Sequence, residues 1–259
     1  MKAVTRLFLV SMVLVLLSTS AITANAHTPQ QLERDRICML AAYSLVLSDW
    51  QESNQKIRGY NIGSVLVSPE NRIVCHARDS VYETQNNTQH SAVRLMTQYL
   101  AANKGLSILP DYTIYTTLEP CAMCTGMMFF TGVSRVVYGQ KDLCCGGAVG
   151  RLKLNSKKWN KSGYTPYPDL STRYAHKEFG AAKSDLPYCE ELEQACAQAM
   201  RRLPTLRTTD FLKSSEAKKI YEEAAHELWN YKLEYPENSK LLEDARKLVP
   251  REMMIDGNF

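Results

Sequence analysis

The sequence predicts a layered α/β domain, and three observations carry that expectation. Between residues 28 and 138 the elements alternate: a helix, two strands, a helix, a strand, a helix and a strand. The apolar pattern along that stretch switches between helical spacing and short β-branched runs, which is how connecting helices and buried strands differ. The chain has 259 residues, of which 45% are hydrophobic and 22% charged, ordinary globular composition with enough length to bury a sizeable core. Collagen-like, low-complexity and wholly disordered chains are excluded.

Residues 1–26 read as a secretory signal. Lys2 and Arg6 supply a positive start, Leu7 to Leu17 is apolar apart from Ser11, and Ala24-Asn25-Ala26 gives a small-x-small cleavage pattern. A membrane anchor is the competing reading, but a span needs about 20 apolar residues and this run is shorter. Cleavage after Ala26 would make the protein secreted or periplasmic, with no membrane span remaining. Taking Lys2 and Arg6 from the 31 basic residues leaves 29 against 27 acidic, too even for strong nonspecific nucleic-acid binding. An oxidising setting would permit disulfides.

After this segment, Thr28 to Trp50 is expected to be helical, with Ile37, Leu40, Ala41, Ser44 and Leu47 on one side. Ile62 to Val67 reads as a buried strand, Ser68-Pro69-Glu70-Asn71 as a turn, and Arg72 to Cys75 as the hairpin partner. Asp79 to Gln89 lacks periodicity and reads as a loop. His90 opens a second helix with Val93, Met96 and Leu100 on one stripe. Tyr112 to Thr117, aromatic and β-branched, is a third strand. Pro120 starts a third helix running to about Gly132, and Arg135 to Tyr138 is a fourth strand. Parallel neighbours joined through helices follow from this order. Residues 27–152 thus form one α/β domain. Residues 153–183, rich in Lys, Ser, Tyr, Asn and Pro, read as an irregular insertion. Residues 184–259 read as a helical extension packing on the same domain, with helices near 185–203, 215–232 and 241–248.

The chemistry lies in Thr117-Leu118-Glu119-Pro120-Cys121-Ala122-Met123-Cys124, with His90 upstream. Cys121 and Cys124 are three apart at a helix start, so both sulfurs share a face near the positive end of the helix, which favours thiolates. His90 opens the preceding helix and can approach them. One His and two Cys make a soft three-ligand set for Zn²⁺ with a fourth position open to water. A redox pair or a structural disulfide is the alternative for an isolated CxxC.

At these residues a resemblance emerges. Arg34 to Leu152 resembles the cytidine/deoxycytidylate deaminase superfamily, most of all its tRNA adenosine deaminase branch. Ile62 to Val67 is similar to that family's first strand, Tyr115 to Cys124 to its zinc segment, and Gly126-Met127-Met128 through Tyr138-Gly139 to its helix-to-strand passage. The resemblance implies a three-layer α/β/α fold with five strands between helices. It also implies Zn²⁺ on His90, Cys121 and Cys124, and hydrolytic removal of an amine from a cytosine- or adenine-type base. The expected partner class is a nucleobase, nucleoside or nucleic-acid base, and a homo- or hetero-oligomer stays open. The fifth strand is not placed by the sequence.

The chain departs from this pattern at residue 92. Zinc deaminases shuttle a proton through the Glu of H-x-E; here the triplet is His90-Ser91-Ala92. Losing a general acid/base costs about 10²–10⁴-fold. Either another acid takes over, or the protein is a catalytically inactive zinc-binding module, as in the family's noncatalytic subunits. Asp79 stands eleven residues before His90, where the tRNA deaminases place a substrate-contacting Asn, and is the candidate for substrate binding and for a rerouted proton. Glu83 shares its loop, and Glu119 reads as structural. Solvated loop acids are the plain alternative for Asp79 and Glu83.

Of the six other cysteines, Cys144-Cys145 fall near the expected pocket rim, and Cys38, Cys75, Cys189 and Cys196 are disulfide or core candidates. His76, His176 and His226 lack companions at ligand spacing. Asn86-Asn87-Thr88 and Asn160-Lys161-Ser162 match the glycosylation acceptor pattern. The aromatic and lysine residues of 157–174 either line a channel by stacking or form a loosely packed insertion.

Overall fold

The structure, a computed structural model, describes residues 27–52, 58–166 and 179–248. The signal-like segment, His176, and much of the aromatic stretch after Lys157 therefore lie outside the described residues. Five strands form one mixed sheet in the order β2-β1-β3-β4-β5: β1 (Gly63–Val67), β2 (Ile73–Arg78), β3 (Thr113–Leu118), β4 (Arg135–Gln140) and β5 (Gly180–Lys183). β1 is antiparallel to β2 and to β3, while β3, β4 and β5 run parallel. Helices α1 (Pro29–Leu47), α2 (Ser91–Ala102), α3 (Ala122–Phe130), α4 (Ala148–Leu152), α5 (Pro187–Arg202), α6 (Thr208–Phe211), α7 (Ser215–Asn230) and α8 (Ser239–Arg246) complete it.

Strand alternation sorts side chains to two cores. Val65, Val67, Tyr115 and Val137 face α1 and the C-terminal helices. Leu66, Ile114 and Val136 face α2 and α3. With both faces covered, β1 and β3 are buried along their whole length, which explains why they read as continuous runs.

Two readings of the sequence need correction. The fifth strand, Gly180–Lys183, falls in the segment expected to be irregular. Gly-Ala-Ala-Lys has little strand propensity of its own; pairing with β4 makes it a strand. The stripe expected on α1 is not a stripe, because every residue from Ile37 to Val46 is buried. α1 lies against the sheet on one side, and α7 and α8 pack on its other sides, so the C-terminal helices add a further layer outside it. Thr28 starts α1 through a capping box with Gln31.

Three polar anchors tie these layers together. Arg135 grips Asp35 through two nitrogens at 2.7 and 2.6 Å, and the Tyr115 hydroxyl donates to the same carboxylate at 2.6 Å. The buried Glu33 carboxylate accepts from the Glu234 amide at 2.6 Å and the Asn238 side chain at 2.7 Å. Asn61, fully buried, donates to the carbonyls of Gln51 and Leu212 and so fixes the segment before α7 on the entry to β1.

Candidate metal centre and substrate cavity

Two strand-to-helix junctions meet beside β1 and β3. His90 is the N-cap of α2 and Cys121 the N-cap of α3, both with extended backbone, so each side chain can turn back over its helix start. The Ser64 and Ser91 hydroxyls, 2.7 Å apart and buried, tie β1 to the residue next to His90. The α3 N-terminus falls at Ala122 rather than at Pro120, because Cys121 occupies the cap.

This geometry brings three donors together. Cys121 Sγ and Cys124 Sγ are 3.6 Å apart and lie 3.6 and 3.7 Å from His90 Nδ1. A tetrahedral zinc ion, with bonds of about 2.3 Å to sulfur and 2.05 Å to nitrogen, requires about 3.8 Å between sulfurs and about 3.6 Å from sulfur to nitrogen. The triangle therefore fits the ion without rearrangement. Among the described residues, this is the one group of three or more His, Cys, Asp or Glu donors close enough to share a metal. The Cys124 thiol donates to Cys121 and, with the His90 hydrogen bond, brings the Cys121 thiol down to about 4. Cys124, holding the shared proton and buried, is pushed well up. The hydrogen bond to Cys121 likewise raises His90. A divalent cation would take the place of those protons.

A cavity of about 220 Å³ opens beside the triad. Asp79, 1% exposed, stands in its wall, with Oδ1 accepting from the amides of Tyr60 at 3.0 Å and Val81 at 3.3 Å. Burial raises its carboxyl, and those amides act the other way. Ala92 lines the same cavity and packs into the apolar core of α2 and α3. Thus His90, Cys121, Cys124, Asp79 and Ala92 all surround one space. Cys144 and Cys145 line it too, at the rim where the sequence put them.

Glu119 is structural as expected: Oε1 accepts from the Gly147 amide at 2.8 Å and Oε2 from Asp142 at 3.3 Å, holding the loop after β4. A β-carbon on Gly146 would overlap that carboxylate, so the loop closes on it only with glycine there. Glu83 is exposed, accepts from the Ser80 hydroxyl and faces a different groove. Trp159 and Tyr164 are exposed and are not among the residues lining the cavity, so they build no channel wall. Disulfides are not formed: all eight cysteines are free, and Cys38, Cys189 and Cys196 are buried core residues. Asn86 and Asn160 are exposed, each accepting from the amide two residues on.

Sequence reasoning missed Tyr60, Asp142, Arg207, Thr208 and Thr209 in the cavity wall. Asp142 had a local signal, since its Oδ1 accepts from the amides of Cys144 and Cys145 at 3.0 and 3.1 Å in an Asx turn. The other four have none, because distant segments deliver them.

This fold and donor set define a zinc-deaminase type of centre, and comparison with known proteins agrees. Residues 39–140 match the cytidine and deoxycytidylate deaminase zinc-binding region. The chain is 33% identical over 100 residues to the tRNA-specific adenosine deaminase of Rickettsia bellii, covering 37% of this chain and 67% of that one. It is 31% identical over 109 residues to tRNA-specific adenosine deaminase 2 of Xenopus laevis, covering 40% and 58%. A tRNA(Ile)-lysidine synthase of Deinococcus deserti is 30% identical over 105 residues, and there the chain spans only 19% of the relative's length. Among solved structures, one from studies of tRNA:A34 deaminases matches at 23% identity and a TM-score of 0.35, covering 48% of this chain and 78% of that one. The chain belongs to the cytidine and deoxycytidylate deaminase family. Within it, the chain groups with the tRNA adenosine deaminase branch.

Proposed function

We propose that this protein is a zinc-dependent hydrolytic deaminase of a cytosine- or adenine-type base whose proton shuttle runs through Asp79 instead of a Glu at position 92. The observation that carries the reading is Asp79's place in the cavity wall with His90, Cys121 and Cys124, its carboxylate aimed by two amides. Zinc held by those three residues would supply a hydroxide near neutral pH. Asp79 takes the proton lost by the attacking water and gives it to the ring nitrogen, then carries the remaining hydroxyl proton to the amine, which leaves as ammonia while the carbonyl forms. Ala92 leaves room for the substrate but has no proton to give.

The second reading is a zinc-stabilised binding module without turnover. The burial of Ala92, 3% exposed within an apolar cluster, favours it. The deciding experiment compares ammonia release by the zinc-loaded native protein, Asp79→Asn and Ala92→Glu, using cytidine, adenosine and RNA. Native turnover lost in Asp79→Asn supports the rerouted shuttle; turnover only in Ala92→Glu supports the binding module. The basic start and apolar run of residues 1–26 support an exported, secreted or periplasmic protein. N-terminal sequencing of the mature chain, expected to begin at His27, tests that separately.

A further inference from the structure

Six of the eight cysteines have a place in the fold or the metal centre. Cys121 and Cys124 belong to the metal triad. Cys38, Cys189 and Cys196 are enclosed in the core, and burial pushes each thiol up. Cys75 is half-buried on β2; its thiol reaches the Leu95 carbonyl at 3.7 Å and is likewise pushed up by burial. Cys144 and Cys145 have no such place. Both are exposed, both are free thiols, and both line the cavity beside the triad. The chemistry proposed for the base uses neither.

The loop that carries them is held at both ends. Asp142 Oδ1 accepts from the Cys144 and Cys145 amides at 3.0 and 3.1 Å, and the Asp142 carbonyl accepts from the Gly146 amide at 2.9 Å. On the far side, Glu119 accepts from the Gly147 amide at 2.8 Å. These bonds keep the two thiols at the rim, away from the enclosed cysteines. They have each other instead. The Cys144 side chain is the first cause that pushes the Cys145 thiol up to about 11. Cys145 thus keeps its proton beside Cys144, which makes Cys144 the better nucleophile of the two, because the thiolate is the reactive form.

We propose that Cys144 and Cys145 are a reversible thiol–disulfide exchange site in the cavity rim, with a low-molecular-weight disulfide as co-reactant. The Cys144 sulfur attacks one sulfur of that disulfide. A mixed disulfide forms, and the first small thiol leaves with the proton that Cys144 lost. The Cys145 sulfur then attacks the Cys144 sulfur. The bond between the neighbours forms, and the second small thiol leaves with the Cys145 proton. Two protein thiols are oxidised by two electrons, and the small disulfide is reduced to two thiols. Consecutive Cα atoms lie about 3.8 Å apart, less than the roughly 4.4–6.8 Å that a disulfide usually spans. A bond between neighbours is therefore strained and readily reduced, which suits a bond made and broken in use. Because both sulfurs line the space beside the triad, exchange gives the cavity two covalently distinct rims.

The test takes the zinc-loaded full chain, reduces it and exposes it to glutathione disulfide. Free thiols are then trapped with an alkylating reagent before tryptic digestion and mass analysis. The peptide from Asp142 to Arg151 holds these two cysteines and no others. The expected product is that peptide, lighter by two hydrogen atoms and closed to the alkylating reagent, with dithiothreitol restoring both thiols. Cys145→Ser should stop at the mixed disulfide, with glutathione on Cys144. Cys144→Ser should slow thiol loss at this site by about tenfold or more. Both positions are exposed, and zinc content and melting temperature check that each variant folds. A native peptide that keeps both thiols in excess glutathione disulfide overturns the inference. So does one that accumulates only the mixed disulfide, or a bond from either residue to a cysteine of another peptide. None of these readouts requires turnover, so each leaves the deaminase reading standing.

Discussion

The backbone of Gly59 passes so close to Asp79 that a β-carbon at residue 59 would overlap the Asp79 carboxylate and its carbonyl. Glycine there lets the Tyr60 amide reach Asp79 Oδ1, while Arg58 donates to the Asp79 carbonyl. The acid in the cavity wall is thus aimed by a residue that never touches the cavity. Gly59→Ala should push Asp79 off its amides, at a cost of about 1–3 kcal/mol in stability for the overlap. Isothermal titration should show about tenfold weaker nucleoside binding, with zinc content unchanged. Wild-type affinity in Gly59→Ala would show that the close approach does not aim Asp79.

Metal analysis should find one zinc per chain in the native protein, falling to trace levels in His90→Ala and Cys121→Ser. A ligand that binds only the folded state raises stability. Chelation should therefore lower the native melting temperature and leave that of the variants unmoved. An unchanged native Tm under strong chelation would mean that the triad holds no ion.

Ala92→Glu should place a carboxylate into the cavity from the start of α2. If proton shuttling is the missing step, ammonia release should rise by about 10²-fold or more. The side chain leaves an apolar cluster on its inner side, so urea unfolding should show a loss of about 1–3 kcal/mol from overpacking. A gain in rate without any loss in stability would mean that the wall at residue 92 is roomier than the packing around it.

The cluster of His90, Cys121 and Cys124 was legible in the sequence because its parts are local: Cys121 and Cys124 share one helical turn, and His90 heads the helix before. The three inner strands β1, β3 and β4 were legible because both their faces are largely buried, leaving runs of Val, Ile and Tyr, and the edge strand β2 because the turn at Ser68 to Asn71 marks it as a hairpin partner. The fifth strand was not, since Gly180 to Lys183 pair through the β4 backbone and carry no pattern of their own. Nor was the Arg207 wall, which reaches the cavity only because Asn61 binds Leu212 across 151 positions of chain. Periodicity correctly marked α7 as packed, but it could not say against what.

Asp35→Asn should be among the most costly substitutions outside the site. It removes half of an ion pair that joins α1 to β4 and also strips the Tyr115 hydroxyl of its charged acceptor. Breaking such a pair costs about 3–5 kcal/mol, and with the Arg135 side chain still 20% exposed the lower end applies. Chemical denaturation should read about 3 kcal/mol, with zinc stoichiometry intact in the folded fraction. A loss below about 1 kcal/mol would place the pair with ordinary surface bridges.

The burial of α1 on all sides bears on how the chain can be cut. A fragment ending near residue 152 would keep nearly everything by which its family is recognised. It would also bare the flank of α1 that α7 and α8 cover, along with one wall of the cavity. The shortest stretch that identifies this protein is therefore shorter than the shortest stretch that can stand as one, and the difference holds β5 and the helices α5 to α8, which no motif announces.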